Sequence, residues 1–110
     1  MEISSATEFK VSHAERIAMV LGLRTDELFR NALRSILREK KRIVLRERLE
    51  ILSRHGVSTL SELEDGIAKG AIHEHPAWED LIVIENISLH LEEINGCLDD
   101  LQNLEDHRTQ

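Results

Sequence analysis

The chain has 110 residues, 41% of them apolar but only 3% aromatic, and a formal net charge of −7 at pH 7. That length allows one domain, or one small module with an extended arm, and a core of Leu, Ile and Val without tyrosine suits helix packing. No run of about 18 apolar residues is present, so no transmembrane helix is expected. The N-terminus, MEISSATEFKVS, lacks the basic and apolar regions of a signal peptide, and Cys97 alone cannot form an internal disulfide; both point to the cytoplasm.

In chain order, Thr7, Phe9 and Val11 alternate with Glu8 and Lys10, a short strand-like pattern. Ser12 with Glu15 makes a capping box, so a first helix is expected to start near His13, with Ile17, Ala18, Val20 and Leu21 on its apolar face and Gly22 ending it. Thr25 suits the N-cap of a second helix, and Asp26 and Glu27 suit its positive end. That helix is predicted over about 26–54. Phe29, Ala32, Leu33, Ile36, Leu37, Ile43 and Val44 form a broad face at helical spacing, while Leu45, Leu49 and Leu52 lie well round the helix. Gly56 stops it. Thr59 and Glu62 form another capping box for a short helix carrying Leu60, Leu63 and Ile67, broken at Gly70. Pro76 belongs in the first turn of a last helix running to about Leu104.

The last helix closes with a heptad. Ile84, Ile87, Leu91, Ile94, Leu98 and Leu101 recur at alternating steps of three and four, a stripe narrow enough to be a seam against another helix. It spans only about three repeats, short for an independent coiled coil. Trp78, Leu81 and Ile82 widen it at one end and Leu104 extends it at the other. The expected division is that residues 76–87 pack on their own chain, while Leu91, Ile94, Leu98, Leu101 and Leu104 offer a surface to a partner. Phe29, Leu33, Ile36, Leu37, Ile43, Val44, Trp78, Ile84 and Ile87 are the expected core of a hairpin or a dimer.

Charge is split along the chain. Residues 30–48 carry a local charge of +6, and residues 62–107 carry 13 acidic side chains against Lys69 alone. Arg30, Arg34, Arg38, Lys41 and Arg42 recur every three or four residues, so they share one side of the second helix. With Lys10 they are the candidates for binding nucleic acid, through salt-sensitive phosphate contacts and without aromatic stacking. The alternative is that the stripe pairs with acids of the last helix.

His73 and His75 flank Glu74 at a spacing reminiscent of metal ligands, but no further ligand set lies near in sequence, so a helix-capping role is favoured and no metal is expected. Cys97 sits beside the heptad seam, about 10 Å from His90 by the helical rise; it is read as a packing residue, not a nucleophile. Trp78, in the first turn of the last helix, is read as a plug that packs a loop onto a helix pair, with an interface anchor as the alternative. The scattered glycines form no phosphate-binding loop, and neither an enzyme, a cofactor nor a small-molecule substrate is expected.

The stretch ERIAMVLGLRTDELFRNALRSILREKK resembles the two-helix part of ribbon-helix-helix proteins: Gly22, Leu23, Thr25, Leu28, Ala32, Leu33 and Leu37 match its Gly-Leu ending, capped second helix and Ala-Leu pair. The resemblance covers about a quarter of the chain. It implies an intertwined dimer, a DNA-reading ribbon from the preceding strand, and an antitoxin role with a C-terminal part that grips a toxin. Glu8, within the candidate strand, departs from a DNA-reading pattern. The rest of the chain resembles small archaeal antitoxin-like proteins through Leu33, Leu37, Gly56, Leu63, Gly70, Trp78, Glu79 and Glu85.

The expectation is therefore an all-α dimer: an N-terminal arm and short helix over 1–25, then a long antiparallel helical hairpin with a short connecting helix over 26–110. The function expected is that of a non-enzymatic, antitoxin-like protein that masks a toxin and binds its own operator DNA. A scaffold coiled coil, or a nucleic-acid-binding protein using helix 30–48, are the rival readings.

Overall fold

A computed structural model describes residues 10–108, and these residues are all-helical, with no strand among them. Four helices follow one another: α1 (Val11–Leu21), α2 (Thr25–Arg54), α3 (Leu60–Ala68) and α4 (Glu74–Arg108). Thr7, Glu8 and Phe9 of the expected strand lie outside the described residues, and Val11 opens α1.

The chain divides into two compact units, Met1–Ser35 and Ile36–Gln110. The division falls inside α2.

In the first unit, α1 starts two residues earlier than the Ser12 capping box implies. The Lys10 N–H donates to His13 Nδ1 at 3.2 Å, so His13 satisfies the helix start in the way Glu15 was expected to. Gly22 ends α1 at φ 72°, where a side chain would be strained, and Leu23 N–H donates to the Ala18 carbonyl at 2.8 Å. The first backbone bond of α2 runs from Leu28 N–H to the Arg24 carbonyl, so Arg24 and not Thr25 is the cap. The Arg24 N–H donates to Glu27 Oε1 at 3.0 Å, the returning half of a capping box. Only Ala14 and Ala18 of α1 are buried.

The second unit holds the larger core. Val44, Ile51 and Leu52 of α2 cluster with Leu63 of α3 and with Ala77, Leu81, Ile84, Ile87, Leu91 and Ile94 of α4. Leu37, Val57, Leu60, Ile67, Ile72 and Leu98 pack against it half-buried. On α2 the positions turned inward are 37, 41, 44, 48 and 51, alternating steps of four and three that match the heptad of α4. Lys41 and Arg48 fill the steps between the apolar residues and are half-buried, leaving their aliphatic stems against the core side.

The turns between the helices are closed locally. Gly56 takes φ 69° after α2, and Val57 N–H donates to the Leu52 carbonyl at 3.2 Å. Thr59 Oγ1 accepts from Glu62 N–H at 3.1 Å, and Glu62 Oε2 accepts from Ser58 N–H at 2.9 Å, so the predicted box forms with its return bond one residue upstream. α3 packs against α4. Gly66 lets Ile72 fold back onto α3, since a Cβ there would collide with the Ile72 side chain. The end of α2 is tied to the start of α4 by Asp80, whose Oδ2 lies 2.7 Å from His55 Nε2 and whose Oδ1 accepts from Arg54 Nη2 at 3.2 Å.

Candidate interaction site

Each unit presents its own surface. The first unit exposes most of its apolar side chains. Met19 and Val20 are 80% and 77% exposed, with Val11, Ile17 and Leu21 exposed beside them on α1. Phe29 and Leu33, expected in a core, are also exposed on the part of α2 that belongs to this unit. With alanine at both buried positions, α1 encloses little apolar area.

In the second unit, the expected division of the closing heptad is corrected. Leu91 and Ile94 are buried in the core of their own chain, Leu98 packs against that core, and Leu101 is half-buried. Of the five residues expected to meet a partner, only Leu104 is exposed, at 55%. The physical reason is the matching line on α2: Leu37, Val44 and Ile51 recur every seven residues. For the expected core the outcome is mixed. Val44, Ile84 and Ile87 are buried and Leu37 is half-buried, but Ile36 and Ile43 are exposed. The inward stripe of α2 is narrower than the broad face predicted, and those two isoleucines fall outside it.

Trp78 is a correction as well. It is 48% exposed and is no plug, and its indole Nε1–H donates to Glu74 Oε1 at 3.0 Å. Together with Leu81 and Glu74 on α4, Glu64, Ile67 and Ala68 on α3, and Gly70 after it, Trp78 lines a groove of about 510 Å³. Ile82 and Leu89 lie four and eleven residues beyond Trp78, hence on the same side of α4 at 100° per residue, and both are exposed. The groove therefore runs onto an apolar stripe. This site escaped the sequence reading because two of its walls come from α3 and α4 folding together; an aromatic residue beside two separated acids was the only signal.

The basic residues are engaged locally. Arg30 pairs with Asp26 at 2.9 Å, and its side chain is mostly covered. Arg34 Nη1 donates to Asn31 Oδ1 at 3.0 Å. On the second unit Arg42 makes a two-point contact with Glu39, at 2.6 and 2.9 Å. That hydrogen bond is the main reason the Glu39 carboxyl is held below its ordinary range and the Arg42 guanidinium above its own. Arg38 is exposed, Lys41 half-buried, and Lys10 exposed at the start of α1.

Cys97 is exposed, so it does not pack beside the seam as expected. Among the described residues no group of three or more His, Cys, Asp or Glu side chains is placed to hold a metal ion. No helix among them is long and apolar enough to cross a membrane.

The chain belongs to the Uncharacterized protein MJ0235 family, whose family model matches residues 7–106. No curated protein matches it significantly, and neither does any solved structure.

Proposed function

We propose that this is a non-enzymatic interaction protein, the antitoxin-like member of a type II toxin–antitoxin pair. It associates with a second copy through its N-terminal unit and covers a partner protein with its C-terminal unit. The carrying observation is the first unit, which buries Ala14 and Ala18 but leaves Val11, Met19, Val20 and Leu21 in solvent. An eleven-residue helix with that much exposed apolar surface is stabilised by a partner, not by its own unit. The ribbon-helix-helix likeness of residues 15–41 supports self-association at the same place. In the second unit, the shared core of α2 and α4, closed by Asp80 at the end of one helix and the start of the other, supports an antiparallel hairpin.

Tagged chain co-expressed with its neighbouring gene tests the pairing. A stoichiometric complex that restores growth when the neighbour alone is toxic is the expected result. A neighbour that is harmless and does not co-purify removes the antitoxin role.

A further inference from the structure

The groove between α3 and the first turns of α4 combines three features. Its floor is apolar, from Ile67 and the buried Leu81. Its wall carries the half-exposed Trp78 ring, the residue type most often found at the energetic centre of an interface. Its rim carries the exposed carboxylates of Glu64 and Glu74, in a segment where Lys69 is the only lysine or arginine between residues 62 and 107.

We propose that this groove docks a basic, amphipathic peptide segment of a partner protein, an Arg or Lys side chain lying over the Trp78 ring between Glu64 and Glu74. A guanidinium there gains carboxylate hydrogen bonds and the attraction of the indole face together. Apolar residues next to it in the segment meet Ile82 and Leu89, which continue the groove along α4. The charge of the surroundings rejects an acidic segment and attracts a basic one before contact.

A second copy of the chain also carries basic residues, at 30–48. A groove-to-helix contact between copies is heterologous, however, and builds open chains unless the rotation happens to close. The occupant is therefore a different protein. The inference rests on the interaction reading only in treating this face as a docking surface, and it stands or falls independently of the first unit and of any toxin.

Trp78 is the only tryptophan in the chain, so its emission reports on the groove directly. The full chain is titrated with a blocked peptide of alternating leucine and arginine, and with the same peptide carrying glutamate for arginine. The proposal expects a saturable emission change with the basic peptide alone, weakened by added salt. It expects at least about tenfold weaker binding in E64Q/E74Q, where charge-assisted hydrogen bonds are lost but the indole acceptor is kept. Circular dichroism unchanged in that variant shows that the fold is intact. No saturable change, an equal response to the acidic peptide, or undiminished binding by E64Q/E74Q overturns it. So does an emission change on concentrating the protein alone that E64Q/E74Q abolishes, because the occupant is then a second copy.

Discussion

Leu63 has no exposed surface, and it stands where α2, α3 and α4 contribute to one core. Leu63→Ala removes buried methyl groups and leaves a cavity, at a cost of about 3 kcal/mol in urea unfolding. Leu104→Ala, on the solvent side of α4, changes stability by less than about 0.5 kcal/mol. Asp80 makes two contacts of different burial. His55 has a side chain only 11% exposed, whereas that of Arg54 is 63% exposed. Asp80→Ala leaves a covered imidazole without its acceptor and costs about 1–3 kcal/mol, whereas Arg54→Ala costs less than about 1 kcal/mol. The Glu39–Arg42 pair gives a pH test. Its carboxyl is held below the ordinary 4.5 by the Arg42 hydrogen bond, so the pair stabilises the helix above that pH and is lost as pH falls through the lowered value. An NMR titration of Glu39 has its midpoint below 4.5, and Arg42→Gln returns it upward.

At the scale of elements, punctuation carries much of the fold. Thr59→Ala removes the acceptor for Glu62 N–H and lowers stability by about 1 kcal/mol, read from the urea midpoint. Gly56→Ala, at φ 69°, costs about 1–2 kcal/mol by the same readout. Both positions were legible in the sequence, as were the breaks at Gly22 and Gly70, because capping and left-handed turns depend on a few adjacent residues. The inward line of α2 was not. Lys41 and Arg48 interrupt it, so Leu37 and Val44 read as parts of one broad stripe and Ile51 as part of none until α4 supplies the matching heptad. The start of α1 was misplaced for a similar local reason: His13 took the acceptor role expected of Glu15. The groove was the least legible feature, since the closeness of Ile72 to Gly66 and the presence of Glu64 and Trp78 around one groove depend on how α3 folds back.

For the whole molecule, the two units differ in how far each encloses its own apolar side chains. The second unit satisfies its apolar seam internally, so the heptad that suggested a coiled coil is mostly closed to partners. The first unit leaves its apolar face open, and that face carries the claim that the protein acts by association. Sedimentation equilibrium of the purified chain, alongside M19D/V20D, tests it most directly. Both substitutions sit at exposed positions, so the variant keeps its helical circular dichroism while losing an apolar contact. The account predicts a mass twice the chain's 12.6 kDa for the unsubstituted protein and a single-chain mass for the variant. A monomer at high micromolar concentration, or a dimer that M19D/V20D leaves intact, contradicts it.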